Sequence, residues 1–195
     1  SGSNRILRQM KRGYTRQRYC RLLECAREIH PKTAFTTDVI VGFPGETDAD
    51  FEETLNLIEE CRFVRVHAFP YAPRPGTPAA RLESLPPRTL RKRMTRLLMR
   101  AESVRREVVM SYLGMTHSVL IESVEADGGE YRGYSEYYLP AVVRTHSARA
   151  GEIVSGIAIG ICGNLLIVEP SAGVRPAQFR GVNLMRSVVS NNGVS

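Results

Sequence analysis

The densest chemical content of this chain lies in Thr36-Thr37-Asp38-Val39-Ile40-Val41-Gly42-Phe43-Pro44-Gly45-Glu46-Thr47. A β-rich run enters a tight Pro-Gly turn, and Thr47 stands where it can cap a following helix. In α/β folds, ligands bind at the carboxyl ends of parallel strands. Gly42 and Gly45 would let backbone approach a ligand closely, but a βα turn also needs glycine for its own geometry. A second group is cationic. Arg88, Lys92, Arg96 and Arg100 recur at i, i+4 spacing and form one stripe on a helix, thickened by Arg91, Arg93, Arg105 and Arg106. Phosphates bind such a stripe through charge and counterion release; the competing reading is a solvated helix face. Only Glu83, Glu102 and Glu107 interrupt positions 81–107. His67 reads as a satisfied strand histidine rather than a proton donor. Cys20, Cys25, Cys61 and Cys162 show no CxxC spacing, so they read as reduced thiols rather than a metal knuckle.

These groups need elements to hold them. Tyr19, Leu22, Leu23, Ala26 and Ile29 recur at helical spacing, with Thr15 as a cap and Pro31 beyond the end. A strand is expected over 34–43. A helix follows, capped by Thr47, with Asp48 and Asp50 in its first turn and Phe51, Leu55 and Ile58 on its buried face. A second strand is expected over 63–69, ending in a Pro- and Gly-rich loop. Helix–strand–helix–strand is the rhythm of a parallel α/β sheet. Pro86 and Pro87 open a long helix over 88–112. After Gly114, five short strands are expected at 117–125, 131–135, 137–144, 151–159 and 165–169, with Gly-rich turns at 128–129 and 160–163. So many short strands in so few residues indicate a small barrel. Residues 171–195 are polar and aperiodic and are expected to be disordered.

The charge is unevenly spread. Residues 1–113 hold 21 basic and 13 acidic side chains, a net +8; residues 114–170 hold 3 and 7, a net −4; residues 171–195 add +3. A basic first half suggests a polyanionic partner. No run approaches a membrane-spanning length, and the start has neither the charge nor the apolar stretch of a signal peptide.

The segment from Thr36 to Thr47 resembles the GFPGET segment of radical S-adenosylmethionine enzymes. Two further stretches resemble the tRNA methylthiotransferases within that superfamily. Ser1-Gly2-Ser3, with Met10, Arg12 and Gly13-Tyr14-Thr15, looks like one family stretch. Phe63 to Ala80, with Arg65-Val66-His67 and Phe69-Pro70-Tyr71, looks like the strand and loop that follow. The wording around His67 is most similar to the branch acting on threonylcarbamoyladenosine, with the isopentenyladenosine branch as the alternative. Residues 114–170 are similar to a TRAM domain, through Gly133-Tyr134-Ser135-Glu136-Tyr137-Tyr138.

The resemblance implies an α/β fold: residues 1–113 as the carboxyl-terminal part of a partial radical-SAM (TIM-like) barrel with a long connecting helix, then a small all-β TRAM barrel at 114–170. It implies S-adenosyl-L-methionine and two 4Fe-4S clusters in a full-length parent. A deoxyadenosyl radical there takes hydrogen from C2 of a modified adenine next to the anticodon, which is then methylthiolated. The CxxxCxxC cluster motif is absent from this sequence, so the chain alone is expected to be inactive. Carried over residue by residue, Ser1, Ser3, Thr37, Asp38, Ile40, Gly42, Phe69 and Tyr71 would line the cofactor pocket, with Thr37 and Asp38 both pointing inward. Arg74, Arg88, Lys92, Arg96, Arg100, Arg132 and Tyr134 would meet RNA. The implied partners are a tRNA anticodon stem-loop and a reductant protein, for a monomeric, cytoplasmic enzyme that does not use a membrane. A non-catalytic tRNA-binding fragment is the alternative from another class.

Overall fold

The computed structural model describes residues 1–124, 130–145, 148–171 and 177–178. The first unit is an α/β layer. Helix α1 (Asn4–Gln9) and helix α2 (Arg16–Ile29) precede strand β1 (Thr36–Val41), helix α3 (Asp48–Cys61) and strand β2 (Arg65–Pro70). The two strands pair in parallel through the α3 crossover, with Asp38 opposite His67 and Ile40 opposite Phe69. A 3-10 turn (Pro78–Arg81) leads to the long helix α4 (Pro87–Met110). As expected, Thr15 caps α2 and Thr47 caps α3, the latter in a capping box with Asp50.

The second unit is a closed five-stranded barrel of β3 (Thr116–Val124), β4 (Glu130–Ser135), β5 (Pro140–Arg144), β6 (Glu152–Cys162) and β7 (Leu165–Pro170). The order is β3-β4-β5-β7-β6, and β3 pairs back with β6 to close it. The β5–β7 pair is parallel. Two strand boundaries differ from expectation. The 137–144 strand starts only at Pro140, because Ser135 Oγ accepts the amides of Tyr137 and Leu139 and holds a turn there. The turn placed at 160–163 shortens, because β6 runs on to Cys162 before reversing at Gly163, with a register shift between Ala158 and Gly160. The 128–129 turn lies outside the described residues, as does the expected disordered tail except Ser171, whose N–H donates to the Ser155 carbonyl at 3.1 Å, and Ala177–Gln178 (β8), which pairs with β6. Among the described residues, no helix is long and apolar enough to cross a membrane.

Helix α4 joins the two units. Its stripe of Leu97, Ala101, Val104, Val108 and Val109 belongs to one buried cluster that runs from Val39, Phe51 and Leu55 in the layer to Val119, Ile121 and Leu166 in the barrel. At the seam, Tyr112 donates its hydroxyl hydrogen to the Lys32 carbonyl at 2.9 Å, and His117 Nε2 donates to the Tyr112 carbonyl at 3.1 Å. Cys20 and Cys61 meet at 3.7 Å in a second cluster between α2 and α3. Both are free thiols; burial, then contact with Cys20, pushes Cys61 up to about 12.

The amino-terminal segment is tied to α3 through Asp50. Its carboxylate accepts Ser3 Oγ at 2.7 Å, Thr47 N at 2.8 Å, Thr47 Oγ1 at 2.6 Å and the Arg5 guanidinium. Burial alone would raise this carboxyl, but the hydrogen bonds from Arg5, Ser3 and Thr47 outweigh it and hold it well below the usual carboxylate range. The contribution is therefore complete above the ordinary carboxylate pKa, about 4, and shrinks as pH falls toward the depressed folded value. Asp50→Asn is expected to cost about 2–3 kcal/mol at pH 7. In urea unfolding at pH 7 and pH 3, the gap between wild type and variant should narrow at the lower pH; an equal gap at both would contradict this account.

Candidate cofactor turn and RNA-facing surface

The carboxyl end of β1 runs directly into the glycine turn. Gly42 has φ +77° and Gly45 φ +80°, left-handed values that favour glycine. A Cβ at Gly42 would lie 2.6 Å from Leu90 Cδ1 of α4, so the helix sits directly against this turn. Gly42 N–H donates to Glu46 Oε2 at 3.0 Å, and Glu46 N–H donates to the Phe43 carbonyl at 2.9 Å. Beyond β2, Tyr71 N–H donates to the Val41 carbonyl at 2.8 Å, and the Tyr71 ring meets Phe43 edge-on at 5.3 Å. The Tyr71 hydroxyl is buried with no hydrogen-bond partner among the described residues.

Strand alternation sorts the expected pocket residues. Val39 and Val41 face the helices and the core. Thr37 shares their face, so the expectation that Thr37 points inward with Asp38 is corrected: neighbours on a strand cannot share a face. Asp38 and Ile40, with their register partners His67 and Phe69, occupy the opposite face of the pair. Phe69 is half exposed there. Ser3 is buried; its hydroxyl donates to Asp50 and accepts Ile6 N–H, capping α1. Ser1 Oγ, half-buried, accepts Ser3 N–H at 3.2 Å.

The cationic stripe is only half available. Arg96 pairs with Glu52 at 2.6 Å, and Arg100 pairs with Glu59, both on α3. Arg105 binds the Asn164 side chain and carbonyl on the β6–β7 turn. Arg93 does not thicken the stripe at all, because it is buried. Sequence reasoning missed it among its neighbouring cations. The available signal was its position, three after Leu90 and four before Leu97, on the apolar stripe. Among the described residues, Arg88 and Lys92 remain exposed without an ion-pair partner, as does Arg74 in the loop after β2.

Tyr134 and Tyr138 form a tilted pair, ring centres 6.3 Å apart, at the mouth of a cleft of about 1140 Å³ between barrel and layer. Lys32, Arg65 and Arg105 line the same cleft. Tyr138 is 81% exposed and holds φ 57°, a left-handed conformation that is costly for an aromatic residue. Tyr137 instead packs into the seam beside Tyr112 and His117. Arg132 is exposed on β4.

Residues 1–58 match the model of the Radical SAM superfamily. The chain is 47% identical over 126 residues to the tRNA-2-methylthio-N(6)-dimethylallyladenosine synthase of Thermobifida fusca, covering 64% of this chain and 26% of that protein. It is 42% identical over 136 residues to the synthase of the same name from Bdellovibrio bacteriovorus, covering 69% and 30%. For that of Aquifex aeolicus the identity is 45% over 134 residues, covering 68% and 30%. The chain thus spans less than a third of the length of these relatives.

Two outcomes are expected from this surface. If the exposed cations meet an anticodon stem-loop, Arg88→Ala with Lys92→Ala should weaken its binding and lower the slope of log K against log salt by about 1–2, whereas Arg96→Ala with Arg100→Ala should change both much less. Equal losses in the two pairs would return all four cations to the interface. Tyr138→Gly should unfold no earlier than wild type, because glycine relieves the left-handed strain. The same variant should lose about 1–3 kcal/mol of affinity for a single-stranded RNA, measured by fluorescence anisotropy.

Proposed function

We propose that this chain is the rear portion of a radical-SAM tRNA methylthiotransferase whose substrate is a tRNA carrying N6-dimethylallyladenosine. The observation that carries the reading is the similarity of the chain to synthases named for that nucleoside, at 42–47% identity in four bacteria, together with the superfamily match over residues 1–58. Those names favour the alternative substrate over the threonylcarbamoyl nucleoside expected from the wording around His67.

The residues of this chain suit one part of that chemistry. S-adenosylmethionine, when bound, supplies the radical and the methyl group of a methylthiolation. Ile40 and Phe69 offer apolar surface for an adenosyl group at the carboxyl end of the strand pair, where β1 enters the glycine turn. Asp38, one alternate step back, and Ser1 supply polar atoms for the ribose or methionyl part. The buried Tyr71 hydroxyl is a polar group at this end without a partner among the described residues. The chain does not suit the iron–sulfur clusters: no group of His, Cys, Asp or Glu among the described residues could hold a metal ion, and Cys20 and Cys61 are spent in a core.

On the RNA side, Arg88, Lys92 and Arg74 hold phosphates and Tyr134 with Tyr138 stacks an unpaired base, with Arg132 alongside on the barrel. A five-stranded Greek-key barrel is an architecture that oligonucleotide-binding proteins use. Its net negative charge leaves most phosphate contact to α4.

The test is nucleoside mass spectrometry of tRNA from a methylthiotransferase-deficient bacterium complemented with the full-length gene that encodes this chain. The 2-methylthio derivative of dimethylallyladenosine is expected. The threonylcarbamoyl product in its place would reverse the substrate assignment, and neither product would sink the proposal.

A further inference from the structure

Glu46 and Arg93 form a buried ion pair behind the glycine turn, with side chains 1% and 7% exposed. Arg93 Nη1 donates to Glu46 Oε2 at 2.6 Å and to the Glu46 carbonyl at 3.1 Å, and Nη2 donates to Asp48 Oδ1 at 2.7 Å. Its guanidinium lies 5.4 Å from the centre of the Phe51 ring. One side chain from α4 thus holds the α3 end of the segment that connects β1 to α3 directly, and its β1 end through Glu46. The oxygen of Glu46 that it holds also accepts Gly42 N–H. Burial pushes the Glu46 carboxyl up, and the Arg93 and Gly42 hydrogen bonds pull it back. Removing the guanidinium would leave a carboxylate in a dry site without a counter-charge, a costly arrangement that ends in protonation or in movement of the turn. Arg93 also sits one residue after Lys92 on a helix whose exposed face carries the free cations.

We infer that Arg93 is a positioning residue: acting through Glu46, it fixes the buried turn at Gly42, and with it the end of β1 whose Ile40 faces the proposed adenosyl site, and ties that turn to the helix that carries Arg88 and Lys92. Arg93 itself touches neither ligand. A lysine would keep the charge beside Glu46 but lacks the fork that reaches Asp48 at the same time. The inference rests on the proposed adenosyl site, and its test separates the two.

The reconstituted full-length enzyme carrying this chain is compared with its Arg93→Met, Arg93→Lys and Glu46→Gln/Arg93→Met variants. Two measurements are made: amide hydrogen exchange at Gly42 relative to Leu97, and titration with S-adenosylhomocysteine. In Arg93→Met, Gly42 exchange should rise at least tenfold while Leu97 stays protected, and affinity for S-adenosylhomocysteine should fall at least tenfold. Arg93→Lys should recover part of both. The double variant should regain stability, since no carboxylate is left unpaired, yet still bind weakly. That split would not arise if Arg93 served stability alone. A folded Arg93→Met protein with wild-type affinity overturns the inference. Wild-type protein that takes no S-adenosylhomocysteine overturns the adenosyl site, and the inference with it.

Discussion

The structure depends on the burial of one face of α4. Leu97 is fully buried, and Ala101, Val104 and Val108 continue the same stripe into a single core shared by the α/β layer and the barrel. Each large side chain buried there contributes about 1.5–3 kcal/mol. The β1–β2 pair is only two strands wide, and a sheet of that size needs a packed partner to be stable. Helix α4 is that partner on one face. The same helix presses Leu90 and Arg93 against the turn that ends β1 and presents Arg88 and Lys92 to solvent. Support for the sheet, the packing of the turn and an exposed cationic patch thus come from one element.

The elements were legible in the sequence because their signals are local. Thr15 and Thr47 sit at helix starts, and capping chemistry acts within one turn. Pro86 and Pro87 mark the start of α4 because proline fits a first turn and no later one. The strands of the barrel were visible from spacing, but the start of β5 was not, because Ser135 reaches over two residues to build a turn that no period reveals. Barrel closure and the parallel β5–β7 pair were equally hidden, since pairing joins residues that the chain separates.

The site was legible only in part, and the losses share a cause. The turn at Gly42 and Gly45 was legible as a turn because glycine type carries backbone information. Thr37 was misplaced because both it and Asp38 are polar, and only the register of a folded strand says which of two neighbours faces the helices. Arg93 was hidden among cations of the same type. What separates it from Lys92 is burial against Glu46, a residue 47 positions earlier. The ion pairs of Arg96 and Arg100 were hidden for the same reason: their partners, Glu52 and Glu59, lie on another helix.

Those two ion pairs change the kind of grip the molecule can offer. Four free cations along a helix would form a diffuse rail on which a nucleic acid can slide between equivalent positions. With two committed to α3, the remaining pair is a short foothold at the amino end of α4, on the side of the glycine turn. An RNA that holds there has few equivalent registers to wander among. Neutralising half of the charge sacrifices raw attraction but narrows the places where a strand can settle.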